Sequence, residues 1–502
     1  MIPLLIRLVL SAPRSTPILL LLLLPFLCIH ILLSIRITNK FRRSEVLRSL
    51  GIYHDRVKIV GFFHPYCNAG GGGERVLWTA IKLMQAREPS VVSVVYSGDP
   101  GVTKEDIIKK VKAQFDIDLN PRTLAFVFLT RRRWVEDHTW KRFTLLGQSI
   151  GSLWLGLEAA SALLPDLYID TMGYAFTFPL FTLLGIRVGA YVHYPTISTE
   201  MISRVSHRRV GHTNASNISS SWILSRGKLL YYRLFMAFYA FSLRRASFLM
   251  VNSSWTKGHI DWIVNGPEPK DRDSSPAKTT SKGRKQVSIV YPSCDTTAMK
   301  NFPLEGRERV VLSVAQFRPE KDHATQLKSF HALLTKYPQY AASGEKPTKL
   351  VLVGGCRNEG DRQRVESLRE LAKELGIEDQ TTFVLNASYE EMLGWLRRAS
   401  VGLSTMIDEH FGINVVEFMA AGVVPLAHAS GGPLLDIVVP YEGKPTGYHA
   451  RTADEFADQM HKILSTMGTR EDADVRERGR KHVVERFGEE EFFKGWGEVC
   501  VL

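Results

Sequence analysis

Two glutamates eight positions apart, Glu409 and Glu417, are the side chains of this sequence best placed to do chemistry. The apolar spacing after Gly412 predicts a short helix that ends at Gly422, so Glu409 precedes the helix and Glu417 lies within it. A helix N-terminus offers unpaired backbone N–H groups and the positive end of the helix dipole, and both favour a bound diphosphate. The residues predicted to hold it are Phe411, Gly412, Ile413 and Asn414.

The separation of the two glutamates predicts a different ligand group for each. Glu417 lies about 7 Å along the axis from the first amides, at about 1.5 Å per residue, which is about the distance from a diphosphate to the ribose of the same nucleotide. We therefore expect Glu417 to bind ribose and Glu409 to face a sugar. The alternative is ordinary acidic decoration of a helix N-terminus. A predicted strand at 423–427 and a glycine-rich turn at 430–433 favour the binding site.

Two cations and a histidine follow other predicted strands. Arg318 and Lys321 come after the strand at 310–314, where they are able to neutralise a diphosphate leaving group. His193 follows the strand at 188–192 and is expected near the same cleft, although a histidine at a strand end is often structural.

A run of four glycines at 70–73 joins the first predicted strand of the chain to a helix. Without side chains, this backbone is able to approach a ligand closely at the carboxyl end of a strand. No Lys-Ser or Lys-Thr pair follows, so the run is not a Walker loop. The alternative is a flexible turn. The candidate ligand-binding residues of this loop are Gly71, Gly72, Gly73 and Glu74.

Together these motifs resemble retaining glycosyltransferases of the GT-B class, in particular family 4-like enzymes with an E-x7-E region. The resemblance implies catalytic roles for Glu409, His193, Lys321 and Arg318, a donor site at Glu417 and the neighbouring amides, and an acceptor side at the glycine loop. The chain departs from the family at Gln316, where an arginine is usual, so Arg318 is expected to reach the site from a shifted position.

Within that class the motifs, together with an N-terminal apolar run, are similar to the α-1,2-mannosyltransferases of N-glycan assembly. The resemblance implies GDP-mannose as donor and a dolichol-pyrophosphate-linked glycan as acceptor, which receives its fourth and fifth mannoses. It also implies the cytosolic face of the endoplasmic reticulum membrane, whose lipids and other mannosyltransferases are expected partners. The alternative is another GT-B membrane glycosyltransferase with a different lipid or polysaccharide acceptor.

Retention of configuration sets the expected mechanism. The sequence shows no evident carboxylate to act as the nucleophile of a double displacement, so we expect front-face substitution. Lys321, Arg318 and the helix at Gly412 would stabilise the departing diphosphate. No metal cofactor is expected, because the Asp-x-Asp triplets at 271–273 and 472–474 fall in polar surface stretches.

The elements that position these residues alternate between strand-like and helix-like segments. This pattern predicts an α/β fold with two doubly wound, Rossmann-like domains facing a cleft, and 502 residues with 45% hydrophobic content can fill two cores. A hinge is predicted at 291–309. The predicted divisions are a luminal segment at 1–17, a transmembrane anchor at 18–35, an acceptor-side domain at 56–292 with a mobile insertion at 266–285, a nucleotide-sugar domain at 308–475 and a helical segment at 476–502.

Charge, apolar runs and cysteine content favour a membrane-associated protein over a nucleic-acid-binding or disulfide-rich one. The apolar run at 18–35 is just long enough to cross a bilayer, and the heavier positive charge after it predicts a cytosolic catalytic part. Five scattered cysteines predict no disulfide framework. The net charge is +13, but the sequence contains no nucleic-acid-binding motif. The charge therefore fits contact with anionic membranes better. The apolar stretches at 174–184 and 229–243 are predicted to be either membrane-interface segments or core helices.

Overall fold

The structure, a computed structural model, describes residues 15–54, 56–197, 222–267, 283–294 and 296–501. Within these ranges, the side chains of 15–24, 28 and 222–225 are not described. Most of the predicted luminal segment at 1–17 and most of the predicted insertion at 266–285 therefore lie outside the described residues.

The first half of the chain forms a seven-stranded parallel sheet. Its strands are rich in valine, isoleucine and aromatic residues and are almost wholly buried, as expected for a sheet covered on both faces. The strand order is β3-β2-β1-β4-β5-β6-β7. The strands are β1 Ile59–Phe63, β2 Val92–Ser97, β3 Leu124–Phe128, β4 Leu167–Asp170, β5 Arg187–Val192, β6 Phe248–Val251 and β7 Val287–Ile289.

A helix lies between each two consecutive strands of this sheet, as parallel pairing requires. Several begin at a side-chain cap, such as Thr103, which accepts a hydrogen bond from the N–H of Asp106. The helices are α1 Ser15–Ser49, α2 Gly72–Arg87, α3 Lys104–Phe115, α4 Thr144–Ala162, α5 Phe178–Leu183, α6 Trp222–Arg244 and α7 Ser254–Asn265.

The second half forms a six-stranded parallel sheet in the order β10-β9-β8-β11-β12-β13. The strands are β8 Val310–Val314, β9 Lys349–Gly354, β10 Thr381–Leu385, β11 Val401–Ser404, β12 Val424–His428 and β13 Tyr448–Ala450. The helices are α8 His323–Lys336, α9 Glu359–Glu374, α10 Tyr389–Arg398, α11 Ile413–Ala420, α12 Ala453–Ser465, α13 Arg470–Phe487 and α14 Glu489–Val499. The prediction of two doubly wound sheets is confirmed.

The last helix, α14, returns to the first domain. Phe492 and Trp496 are buried in the core between α2 and the seven-stranded sheet, and Glu489 pairs with Lys82 of α2 at 2.7 Å. The return point lies beside the other connection between the domains, since the N–H of Cys294 donates to the carbonyl oxygen of Phe487 at 3.0 Å. The chain therefore passes between the two sheets twice at neighbouring places.

Two layers of helices cover the faces of the seven-stranded sheet. One core contains side chains of α2, α3 and α14, and the other contains side chains of α1, α4, α5, α6 and α7. The C-terminal part of α1 is fixed to the second layer by a reciprocal pair of hydrogen bonds between the Asn39 amide and the backbone of Leu164.

The structure separates the two apolar stretches that the sequence leaves undecided. In the stretch at 174–184, Phe178 and Phe181 are fully buried and belong to the core, whereas Leu183 is 71% exposed. In α6 one side is buried and the other is exposed. Among the helices of the described ranges, none combines the length and apolar character needed to cross a bilayer. The anchor at 18–35 stays a prediction.

Candidate active site between the two sheets

The predicted site residues lie where each sheet reverses its strand order. In the first sheet the strand order runs one way from β1 and the opposite way from β4, and in the second sheet the same reversal lies between β8 and β11. Ligands of open parallel sheets bind at the carboxyl ends of such strands. The glycine loop follows β1, Lys321 follows β8, and Glu409 follows β11.

Lys321 and Glu409 form an ion pair at this position. Lys321 Nζ lies 2.5 Å from Glu409 Oε2, and Glu409 is only 8% exposed. The backbone around Lys321 is fixed as well, because the Thr405 hydroxyl at the end of β11 donates to the carbonyl oxygens of Lys321 and Asp322 at 3.2 and 3.0 Å. The sequence places these two charged groups 88 positions apart, and the fold brings them together.

A glycine-rich turn after β12 holds the loop that carries Glu409. The N–H of Gly432 donates to the carbonyl oxygen of Glu409 at 2.7 Å, and the N–H of Asp408 donates to Ser430 Oγ at 2.7 Å. Gly431 has φ of +64°, and a Cβ there would collide with the backbone of Glu409. Close approach of the two loops therefore requires glycine at this turn.

The helix α11 begins as the sequence predicts. Gly412 precedes it with φ of +111°, and the helical hydrogen bonds start with the N–H groups of Val415 and Val416, which donate to the Gly412 carbonyl. The N–H groups of Ile413 and Asn414 thus precede the helical ladder and point out of its N-terminus. The Asn414 side chain donates to the carbonyl oxygen of Val314 at 3.2 Å and joins α11 to the end of β8.

The glycine loop of the first domain faces α11 across the cleft. A Cβ on Gly72 would lie 2.6 Å from Ile413 Cδ1, so the two domains are in contact here. Glu74 fixes the loop, since its carboxylate accepts hydrogen bonds from His64 Nε2 at 3.3 Å and from the N–H of Gly71. Burial alone would raise the pKa of Glu74, but these bonds outweigh it and the pKa lies below its usual value.

His193 lies beside the same loop. A Cβ on Gly73 would be 3.5 Å from His193 Nε2, and this nitrogen donates to the carbonyl oxygen of Thr171 at 3.1 Å. Burial and the neighbouring His64 lower the pKa of His193 to about 4. His193 is therefore neutral at physiological pH and acts as a hydrogen-bonding group.

Asp170, the last residue of β4, is a buried acid at this edge that the sequence prediction missed. Its carboxylate accepts hydrogen bonds from the N–H groups of Met172 and Gly173 at 3.0 to 3.2 Å. Burial outweighs these bonds and raises the pKa of Asp170 to about 7. The group shapes the turn that carries Thr171, the hydrogen-bond partner of His193.

Side chains from both domains close one end of the cleft. His410 stacks on Tyr194 with ring centroids 4.1 Å apart, and Trp255 lies against it at 5.3 Å. Nearby, the buried Asp436 accepts hydrogen bonds from the N–H and hydroxyl of Ser254 at 2.9 and 2.5 Å. Burial lowers the pKa of His410. Tyr194, Trp255 and Ser254 of the first domain thus contact His410 and Asp436 of the second.

Two predicted residues occupy other surroundings. The Arg318 guanidinium lies 4.0 Å from Glu320 on a half-exposed surface, and its contact is with that carboxylate. The Phe411 ring is 3% exposed and packs on Tyr291 and Phe487, so its side chain belongs to the core of the second domain.

The residues missed from the sequence share one signal. His64 and Asp170 end or follow strands at the switch point of the first sheet, and Ser430 follows β12 in the second. Polar residues at the carboxyl ends of central parallel strands belong to the ligand crevice by topology alone. Asp436 carries no such signal, since it lies in the short π-helical turn Pro433–Ile437.

Solved structures share this fold, and a family model assigns its class. Sucrose-phosphate synthase from Thermosynechococcus elongatus matches with a TM-score of 0.59 and 17% identity, over 88% of this chain and 98% of that one. Anabaena HepE in complex with UDP matches with a TM-score of 0.55 and 14% identity, over 88% and 99%. The fold is that of the GT-B glycosyltransferases, and residues 295–482 match the family model "Glycosyl transferases group 1".

Sequence relatives define the family more narrowly. Residues 57–264 match the family model "ALG11 mannosyltransferase N-terminus". The GDP-Man:Man(3)GlcNAc(2)-PP-Dol alpha-1,2-mannosyltransferase of Mus musculus is 46% identical over 86% of this chain and 85% of its own length. The proteins of the same name from Homo sapiens and Dictyostelium discoideum are 44% and 46% identical over 86% and 81% of this chain. The chain belongs to this mannosyltransferase family.

Proposed function

We propose that this chain transfers mannose from GDP-mannose to a dolichol-pyrophosphate-linked oligosaccharide in α-1,2 linkage, adding the fourth and fifth mannoses. The observation that carries the proposal is the 46% identity to a relative of that name over 86% of the chain. The site geometry is consistent with it, because one helix N-terminus and one ion pair supply groups for a diphosphate, a ribose and a sugar.

The second domain binds the donor. The N–H groups of Ile413 and Asn414 and the Nζ of Lys321 bind the diphosphate, and Glu417 accepts hydrogen bonds from the ribose. Glu409 faces the sugar hydroxyls from the other side of the diphosphate. Its ion pair with Lys321 holds both side chains at the reacting end of the donor.

Positive charge at the departing diphosphate supplies the main catalytic term. As the bond between mannose and phosphate breaks, negative charge grows on the phosphate oxygens, and Lys321 and the helix amides stabilise it. The acceptor hydroxyl attacks from the same face and passes its proton to the departing phosphate, which gives retention. His193, neutral and held by its bond to Thr171, lies beside Gly73 and positions the glycine loop at the sugar. We assign Arg318 no part in this transfer, because its guanidinium lies on a half-exposed surface, 4.0 Å from Glu320.

The same charges make a metal cofactor unnecessary in this proposal, since Lys321 and the amides neutralise the leaving group. The cytosolic face of the endoplasmic reticulum membrane is the proposed location, where other mannosyltransferases of the pathway work on the same acceptor. The apolar run at 18–35 supports an anchor there, and the basic residues that follow it support a cytosolic catalytic part.

The test is a transfer assay with the full-length protein in detergent and no added metal. GDP-mannose and a lipid-linked trimannosyl glycan are the substrates, and mass spectrometry measures the product. We expect wild type to add one or two hexoses and Glu409→Gln to add none in the same time. Glu370→Gln, an equivalent change on the exposed side of α9, is the control and should match wild type. Transfer from another nucleotide sugar but not from GDP-mannose contradicts the proposal.

A further inference from the structure

The buried carboxylate of Asp436 is a point where three segments of the chain meet. Its Oδ2 accepts a hydrogen bond from the N–H of Ser254 at 2.9 Å, and its Oδ1 accepts one from the Ser254 hydroxyl at 2.5 Å. Oδ1 also accepts a hydrogen bond from the Tyr291 hydroxyl at 2.8 Å. Ser254 begins α7 of the first domain, and Tyr291 lies in the connection from β7 to β8. The turn that carries Asp436, Pro433–Ile437, belongs to the second domain, so each of these bonds leaves that domain.

The beginning of α7 suits a negative charge. Ser253 caps this helix by accepting a hydrogen bond from the N–H of Thr256, so the N–H of Ser254 is the first amide of the helix and has no partner within it. The Asp436 carboxylate supplies that partner at the positive end of the helix dipole. Hydrogen bonds to a charged group contribute more than bonds between neutral groups, even in exchange for water. These bonds therefore favour contact between α7 and the turn.

The same turn also holds the loop that carries Glu409. Just before the turn, the N–H of Gly432 donates to the carbonyl oxygen of Glu409 at 2.7 Å. Within the turn, Pro433 and Ile437 pack on Gly412, where a Cβ would lie 3.2 Å from Pro433 Cγ and 3.5 Å from Ile437 Cδ1. The turn thus contacts both Glu409 and the residue that precedes α11. A shift of the turn would move the backbone of both.

Tyr291 extends the contacts of this carboxylate to both connections between the domains. Its hydroxyl accepts a hydrogen bond from Arg486 at 3.0 Å while it donates to Asp436. Its ring lies 6.0 Å from that of Phe411, in the loop before α11. Tyr291 belongs to the first connection, and Arg486 lies at the end of α13, just before the chain returns to the first domain. Asp436 is therefore bonded to α7 directly and to the two connections through Tyr291.

A carboxylate that served only the fold of the second domain would bind within that domain. Asp472, which is also buried, does so, because it pairs with Arg476 at 2.8 Å and accepts a hydrogen bond from the N–H of Gly468 at 3.1 Å. Asp436 is 0% exposed, and the donors to its carboxylate precede β8. This difference indicates that the Asp436 carboxylate acts between the domains.

We propose that Asp436 is a positioning residue for sugar transfer, which holds the donor side of the cleft against α7 and so keeps Glu409 aligned with the glycine loop. The inference rests on the proposed function, in which Glu409 faces the donor sugar and the glycine loop faces the acceptor. Asp436 is fully buried and acts through the backbone of Glu409. Because the groups that bind the donor all belong to the second domain, loss of this alignment should affect kcat more than donor binding.

Hydrogen exchange tests the contact without reference to catalysis, in full-length protein in detergent with no substrate. Ser254→Ala removes a hydroxyl from the first domain and should raise exchange of peptides covering 405–412 in the second domain roughly fivefold. Asp436→Asn should raise it further. The control is Ser152→Ala in α4, which removes a buried hydroxyl that bonds within the first domain and should leave this exchange unchanged. Unchanged exchange in both Ser254→Ala and Asp436→Asn overturns the proposal.

Kinetics test the consequence for transfer. Asp436→Asn should lower kcat roughly tenfold or more, because the reacting groups lose their alignment. The KM for GDP-mannose should stay within about twofold of the wild-type value. The matched control is Asp472→Asn, the same change at a buried position of the second domain, which should lower the melting temperature and leave both constants unchanged. An equal loss of kcat in Asp472→Asn would mean that destabilisation explains the effect, and the proposal fails.

A double-mutant cycle shows whether the effect passes through Ser254. The variant with both Ser254→Ala and Asp436→Asn should have nearly the kcat of Asp436→Asn alone, because the second change removes a bond that is already weakened. Losses of kcat that multiply contradict the proposal. If wild type transfers no mannose, the proposed function fails, and the exchange experiment alone then decides whether Asp436 holds the loop.

Discussion

The two domains share a fold but differ in how they meet their surroundings. Most of the exposed large apolar side chains among the described residues lie before residue 300, in α1, α4 and α6. The second domain exposes few, and its functional groups are an ion pair, a helix N-terminus and two tightly packed loops. One doubly wound scaffold thus presents charged groups at a crevice in one copy and an exposed apolar surface in the other, and side chains outside the sheets make the difference.

The largest expected effect breaks the charged half of this comparison. Lys321→Met removes the cation that pairs with Glu409 and should lower kcat about 10²- to 10³-fold, because charge on the leaving group develops mainly in the transition state. The KM for GDP-mannose should change less. Initial rates over a range of donor concentrations measure both constants. Lys328→Met, on the exposed side of α8, is the control, and a KM effect without a kcat effect contradicts the assignment.

The next effect tests whether backbone fit in the second domain holds Glu409 in place. Gly431→Ala should lower the free energy of unfolding by roughly 2 to 3 kcal/mol and reduce activity, because φ of +64° is strained for alanine and its Cβ meets the Glu409 backbone. Gly443→Ala is the matched control, since φ is +75° but no atom lies within 4 Å. It should cost only about 1 kcal/mol of backbone strain. Denaturant unfolding measures both, and equal losses argue against the loop contact.

The third effect sets the pH responses of the two domains against each other. Burial lowers the pKa of His323 in α8 to about 4, so its stabilisation is full above about pH 6.5 and is lost as pH falls toward 4. Burial raises the pKa of Asp170 to about 7, so its stabilisation is full below about pH 4 and is lost as pH rises toward 7. Between pH 7 and pH 5, the second domain should lose and the first should gain about 2 kcal/mol each.

Hydrogen exchange of peptides from β4 and α8, corrected for intrinsic rates, measures these opposite changes. His323→Gln should remove the pH response of α8 and leave that of β4, whereas Asp170→Asn should do the reverse. Responses of the same sign in both domains would falsify the assignment of the two buried groups.

The smallest expected effect concerns Arg318, the cation whose position is shifted from that of the family's usual arginine. Arg318→Ala should change kcat less than about threefold, because a half-exposed ion pair contributes little. The same donor titration as for Lys321 measures it. A loss of tenfold or more would restore the catalytic role that the family resemblance implies, and would require Arg318 to leave Glu320 when the donor binds.

Local signals in the sequence predicted the helices and strands but not the contacts between them. The valine-rich runs of β8 and β9 and the glycines that bound α11 are visible within a few residues, so both sheets and the helix α11 could be predicted. The ion pair of Lys321 with Glu409 and the bonds of Ser254 with Asp436 join positions far apart in the chain. The sequence analysis placed Lys321 and Glu409 in one site but did not predict their ion pair, and nothing in the sequence suggested the bonds of Ser254 with Asp436.

The return of α14 depends on packing that has no short-range signal. The spacing of Phe492 and Trp496 predicts an amphipathic helix but does not specify which core receives it. The structure places α14 on α2 of the first domain, although α14 follows the second domain in the chain.

That return limits how the cleft can open. The two connections between the domains meet where the N–H of Cys294 donates to the carbonyl oxygen of Phe487. The domains are therefore joined by two adjacent chain segments and not by a single linker. A single linker permits rotation about any axis, but two side by side permit mainly a swing about the line through them. Substrate entry and product release would then follow one path, along which Glu409 and the glycine loop separate and come back into the same alignment.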